Sequence, residues 1–344
     1  MKRFTLVTIA VVVALLLFGC SRYRTAVQSP APGVRANASA LGLRQVADIP
    51  LTGDTSRFDY ESLDQTSGRL YIAHLGASTV TVFDTRSQQV VKDIPGVSSV
   101  HGLLAVPQLG RVYASATGDN QLVTIDTQRL AVVAHTEGGK YPDGIAYDPD
   151  DGKVFVSDEH GDTVTVVSTD TNQRVDTIDL GGEVGNTQYD AGSQRVFSVV
   201  QTRNQLVAID PKADSVTGRY DLPGCAHSHG LFIDGGAHLA FIACDENAML
   251  LVFDLQAMQI IATQTVGDSP DVLAFDESLH RLYVAAESGV LAIFEERGGG
   301  LVKLGQDLVG PRAHAIAVDQ QTHRIYLPLE NSGGKPILRV MEPV

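Results

Sequence analysis

Tryptophan is absent from this 344-residue chain, which excludes repeat architectures whose signature or docking residue is Trp. Whatever repeats here must be built from Tyr, Phe and aliphatic side chains. Basic residues are outnumbered, 26 Lys and Arg against 40 Asp and Glu, for a formal net charge of −14. Affinity for a phosphate backbone rests on clustered Lys and Arg, so nucleic acid is not expected as a partner. Long apolar runs are confined to the first twenty residues, which excludes a polytopic membrane protein. No G-x-S-x-G, P-loop or Rossmann fingerprint occurs, and without C-x-x-C-H no haem is attached covalently. What is present, 44% apolar and 19% charged residues with 33 Gly and 14 Pro, describes a globular chain rich in turns. The length allows two ordinary domains or one large β domain.

The N-terminus reads as a processing segment. Lys2 and Arg3 precede an apolar run from Val11 to Phe18, the charged head and hydrophobic body of a secretory signal. Leu17-Phe18-Gly19-Cys20 resembles the bacterial lipobox, which implies cleavage after residue 19, lipidation of Cys20 and a stable membrane anchor. Ser21 after the cysteine follows the pattern of lipoproteins sorted to the outer membrane. The alternatives are an ordinary signal peptide or a single anchoring helix, for which the run is short. Residues 20–42 are otherwise small, polar and Pro-containing, the composition of a flexible tether.

From residue 43 the sequence repeats. Second-strand openings can be aligned on a basic residue or histidine at Arg69, Arg111, Lys153, Arg195, His238, Arg281 and Arg324, at intervals of 42 or 43 residues. Within each unit, short β-branched runs alternate with turn signals, and no segment sustains a helical period. Seven units of four short strands predict an all-β fold over 43–344: a seven-bladed β-propeller of four-stranded antiparallel blades. The last unit lacks its fourth strand, and Arg44–Pro50 matches the fourth strand of unit one. The N-terminal strand is therefore expected to close the seventh blade.

The stretches LYIAHLGASTVTVFDT and VFVSDEHGDTVTVVST resemble the YVTN-type propeller repeat. The resemblance covers essentially all of 43–344 and speaks to fold more than to function, because such propellers serve as binding platforms, surface-layer proteins, lactonases and lyases. The family's Asn at the end of the second strand is not kept, and unit five carries an unusual CAHSH.

First strands of a propeller line its channel, so functional residues are expected at their starts and on the neighbouring loops. One equivalent position holds Asp59, His101, Asp143, Gly185, His229, Asp271 and His314, and the adjacent loops supply Asp158, Glu159, Asp245, Glu287 and Glu330. Three readings stay open. An Asp at a strand corner accepts the N–H groups of its own turn, which would make the ring structural. Imidazole interleaved with carboxylate instead suits a divalent metal or acid–base chemistry, with Asp59, His101, Asp143, His229, Asp271 and His314 as candidate ligands. The third reading is a pH-tuned partner surface.

In unit five, Cys225 and Cys244 fall on one face of one blade. An exported chain is expected to pair them in a disulfide, and the rival is a Cu or Zn site of Cys225, His227, His229 and Cys244. His74 and His160 lie on the mouth side as solvated loop residues that would enlarge a site. His280 and His323 are expected to be solvated on the opposite face.

Two functions are carried forward. The first is a monomeric, outer-membrane-anchored periplasmic platform that binds a protein, peptide or glycan, with no certain cofactor. The second is a metal-dependent lyase or hydrolase, loosely similar to virginiamycin B lyases. That resemblance implies His229 or His314 as general base, with Glu287 and Asp271 holding or orienting the ion. A lactonase has no specific residue in its favour.

Overall fold

The computed structural model describes residues 41–344; the leader (1–19), Cys20 and most of the tether lie outside the described residues. Seven four-stranded antiparallel sheets follow one another, six of them running outward in sequence order from an inner to an outer strand. The seventh is assembled from both ends of the chain: the N-terminal strand Leu43–Pro50 pairs antiparallel with the last strand, Lys335–Pro343. Arg339 holds Asp48 through two hydrogen bonds of 2.8 and 2.7 Å across that seam. The folded body starts slightly before the expected boundary, since Leu41 is buried in the core and Gly42 O accepts Val344 N–H.

The period is written in the turns. An Asp ends the inner strand of nearly every blade and accepts backbone N–H groups two and three residues on: Asp64 from Thr66 and Ser67, Asp148 from Asp150 and Asp151, Asp190 from Gly192 and Ser193. The residue just before the second strand then takes a left-handed backbone conformation in six blades, at Gly68, Gly110, Gly152, Gln194, His238 and His280, and His323 does so two residues before the strand in the seventh. His238 therefore stands in the turn, and Leu239, paired with Asp254, takes the place that Arg69, paired with Asp84, takes in blade one. The sequence alignment on His238 is one residue out of register. The buried aromatics agree: Tyr71, Tyr113, Phe155, Phe197, Phe241 and Tyr283 each lie two residues into their second strand and Tyr326 one residue into its own, all at or near zero exposure. Burying each of these contributes about 1.5–3 kcal/mol, which is how the packing between blades manages without Trp.

Five of the seven sheets are bulged at the inner strand, and all seven at the outer one. In blades two to six the inner strand carries two residues opposite one, between Val100 and Leu103, Pro142 and Ile145, Val184 and Thr187, Ser228 and Leu231, and Pro270 and Leu273. A bulge bends the strand and re-aims a side chain. The second bulged residue is Gly in three of these blades, and a Cβ on Gly102 or Gly230 would overlap the carbonyl oxygen of Asp143 or Asp271 in the next blade. Every outer strand is bulged as well, and the extra residue is an exposed apolar one in most blades: Val91, Val133, Val175, Ile261 and Leu304, 40–51% exposed.

Deleting residues 43–50 is expected to lower the melting temperature by roughly 10 °C or more; a truncated chain melting within a degree or two of its parent would contradict closure by this strand. Gly102→Ala is expected to cost about 2 kcal/mol in denaturant unfolding, because the obstacle is a backbone carbonyl that cannot rotate away.

Candidate functional site

The inner-strand bulges decide what faces the axis. Their first residues are His101, Asp143, Gly185, His229 and Asp271. Asp59 stands just before the inner strand of blade one, and His314 lies in the irregular segment before the two-residue inner strand of blade seven, Ala317–Val318. None of the ring carboxylates caps its own turn. That role belongs to Asp64, Asp148 and their equivalents on the opposite face, so turn capping does not account for the ring carboxylates.

Asp271 is the hub. Its Oδ2 lies 2.7 Å from His314 Nδ1, and its Oδ1 lies 3.2 Å from His229 Nε2 in an ionic contact whose N–H is poorly aligned for a hydrogen bond. The second nitrogen of each imidazole also meets an acceptor. His314 Nε2 is 3.2 Å from the carbonyl oxygen of Phe58, and His229 Nδ1 is 3.1 Å from Gln201 Oε1. The Gln201 amide is oriented by donating its NH2 to Glu159 at 3.1 Å. Both nitrogens of each ring thus face acceptors, an arrangement that favours the imidazolium form. Burial opposes charge on His229, but the Asp271 carboxylate and further acidic neighbours outweigh it and raise the group to about 10. His314 is raised for the same reason, against its burial. Burial alone would push Asp271 up, yet its two imidazolium partners hold it well below the usual carboxylate range.

Arg57, two residues before Asp59, supplies the cation that the sequence reading missed. Its guanidinium lies 3.5 Å from Asp59 and 4.0 Å from Asp271, and donates to Glu287. Arg312 bridges Glu287 at 3.4 Å and Glu330 at 3.2 Å. Among the described residues, only Asp59, Asp271 and His314, from adjacent blades, bring donor atoms within 4.8 Å of one another. The six candidate ligands are therefore not gathered into one donor set. Arg57 already lies beside both carboxylates of the trio.

His101 differs from the other two histidines. Its Nδ1 donates to Ser99 O at 2.8 Å, and its Nε2 lies 3.1 Å from the Tyr141 hydroxyl. Asp143 differs from the other ring carboxylates in having no cationic group in direct contact among the described residues. It is 2% exposed, and its Oδ1 has no hydrogen-bond partner. Burial pushes it up to about 7, against the pull of His101 and His229. One residue further along, Tyr60 OH donates to Asn186 Oδ1 at 2.6 Å, a bar across the channel from blade one to blade four. Below that bar lies a cavity of about 280 Å³, lined mainly by the next residue of each inner strand, such as Leu103, Ile145, Leu231 and Leu273. Glu61 holds that position in blade one, buried with neither oxygen paired and pushed well up by its burial.

The remaining expected residues spread outward. Asp158 is internal and accepts from Gly139 N and the hydroxyls of Thr163 and Thr165. Asp245 and Glu159 belong to the rim. Cys225 and Cys244 form a disulfide, which excludes the thiolate site for Cu or Zn. His74 is not a solvated loop residue: it is 1% exposed and stacks on Phe58 at a centroid distance of 4.2 Å. His160 packs at a tilt against Tyr141, with ring centroids 4.3 Å apart, and His323 is tied to Asp276 at 2.8 Å rather than free. His280 is exposed, as expected.

No family model matches this chain, and no curated protein does. Among solved structures it is similar to Kuenenia stuttgartiensis hydrazine synthase, with a TM-score of 0.72 at 14% identity, covering 86% of this chain and 96% of that one. At that identity the likeness is one of propeller fold.

The pH dependence follows from these groups. His229 has its folded value raised from 6.5 to about 10, so its contribution to stability is complete below 6.5 and lost as pH rises through about 10. Asp271 is depressed, so its contribution is complete above 3.8 and lost as pH falls through its lowered value. Asp143 acts in the opposite sense, because the folded state keeps a proton that the unfolded chain releases between 3.8 and about 7, and stability declines across that interval. Imidazole ¹⁵N spectra at pH 8 are expected to show His229 and His314 doubly protonated; a neutral tautomer at either would contradict the hub.

Proposed function

We propose that this chain is a YVTN-type binding propeller, held at the periplasmic side of the outer membrane through lipidated Cys20, whose channel mouth recognises a basic peptide segment. The single observation that carries the reading is Asp143. A buried carboxyl oxygen without a donor leaves a desolvation cost of about 1–3 kcal/mol unmet, and a ligand N–H removes it. Burial strengthens such a charge-assisted bond once it forms. The protein's acidic net charge draws a cationic partner toward the mouth. The lipobox-like leader supports the location, and the regular repeats without a nucleophile motif support recognition over turnover.

A metal-dependent lyase or hydrolase is the second reading, favoured by the proximity of Asp59, Asp271 and His314. In that reading His229 or His314 must first give up a proton and a hydrogen bond before serving as base or ligand, and Arg57 must move aside. Equilibrium dialysis with Mn²⁺ checks it: retention that Asp59→Asn abolishes would support the metal.

The probe for the first reading is the peptide Ala-Lys-Lys-Ala, titrated calorimetrically against the full chain beside Ala-Glu-Glu-Ala. Binding of the basic peptide alone is expected. It should weaken about tenfold in Asp143→Asn and tighten from pH 6 to pH 8 as Asp143 ionises around 7. Equal binding of both peptides, or an unchanged affinity in Asp143→Asn, would overturn it.

A further inference from the structure

Below the Tyr60–Asn186 bar, the cavity of about 280 Å³ is lined without any Lys, Arg or His and continues toward Gln65, Gln188 and Gln320, near the far ends of the inner strands. Its other polar side chains are accounted for. Ser62 accepts Ala105 N–H at 2.9 Å, Thr187 meets Ser198 at 2.6 Å, and Gln188 accepts Ile233 N–H at 3.1 Å. Gln65 donates to Val318 O at 2.8 Å and Gln320 to Phe275 O at 2.7 Å. Most of these bonds stitch one blade to the next.

Glu61 is the exception. It lines the same cavity at 9% exposure, and neither of its oxygens has a partner. Five of the six equivalent positions in the other blades hold Leu or Ile, so the packing does not call for a carboxyl here. An unpaired buried polar group costs stability, and no cation of the lining offsets it. Burial pushes this carboxyl well above its usual range. A positive group brought beside it would favour the ionised form, with the proton passing to solvent. Both oxygens are shut from water, and the three rotatable bonds of a glutamate let its carboxyl swing into the neighbouring space. Leu103, Leu231, Leu273 and Phe275 present apolar surface around that space. A ligand that meets both demands has one positive head and a short hydrocarbon stem.

We infer that this cavity binds a short aliphatic primary amine, its ammonium on Glu61 and its alkyl stem against the leucines of the inner strands. A volume of about 280 Å³ lies at the small end of ligand pockets, which suits a few carbons and excludes a peptide. The site shares no residue with the Asp271 hub or with Asp143, so it stands or falls apart from the readings above.

The probe is n-butylammonium chloride at pH 7.5, followed by saturation-transfer NMR on the full chain, which reads weak binding as well as tight. The amine is expected to bind, with n-butanol and butyrate each about tenfold weaker or more. Glu61→Gln should weaken the amine about tenfold. Glu61→Leu should abolish binding and raise the melting temperature by about 2 °C or more, because it removes an unpaired polar group. Asp143→Asn should leave the amine unaffected. Absence of saturation transfer, butyrate binding as well as the amine, or an unchanged affinity in Glu61→Gln would overturn the site. So would a lower melting temperature in Glu61→Leu, which would make the carboxyl structural, or loss of the amine in Asp143→Asn, which would place it at the mouth.

Discussion

Neighbouring inner strands can converge on the axis only where backbone passes close to backbone. At Gly102 and Gly230 the next blade's carbonyl oxygen occupies the place a side chain would need. The bulge beside each glycine turns the preceding residue toward the axis, so the contact that closes the wheel also presents its ring of imidazoles and carboxylates. The N-terminal strand holds this arrangement closed by pairing with the last strand. Loosening either device would spread the ring and separate the groups gathered at the mouth.

Two opposite electrostatic solutions stand side by side in that ring. Asp271 is surrounded by imidazolium and guanidinium groups and stays ionised although buried. Asp143, equally buried, has no direct cationic contact among the described residues and holds its proton toward neutrality. The first is a network of opposite charges, which favours rigidity; the second is an unpaired acceptor, which favours a ligand. Glu61 resembles the second case but lies beneath the Tyr60–Asn186 bar, among residues that are otherwise mostly apolar.

The fold was legible because the period is carried by residues with local reasons to recur: a turn Asp, a left-handed turn position and an aromatic early in the second strand. The seventh-blade closure was legible from the match between Arg44–Pro50 and the fourth strand of unit one. Alignment on charge placed His238 one residue out, whereas alignment on Phe241 would have corrected it, since burial constrains a position more tightly than a solvated charge does. The ring positions were legible as a register, but their partners were not. Arg57, Gln201, Tyr60 and Tyr141 act across blades, between residues as far as 230 positions apart, and no local pattern marks such pairs. The spacing of Cys225 and Cys244 left the disulfide and the thiolate site both open, and only the meeting of their side chains across one blade decides between them.

The bulged perimeter limits how another molecule can approach. A strand offered to the outer edge of any blade would find the ladder interrupted midway, with a valine, isoleucine, leucine or threonine standing where a regular hydrogen-bond partner is required. Sideways growth into fibres by edge-to-edge addition is thereby blocked around the whole circumference. In a crowded compartment such a disc stays accessible through its two flat faces, of which one carries the charged opening and the other the aspartate-capped turns.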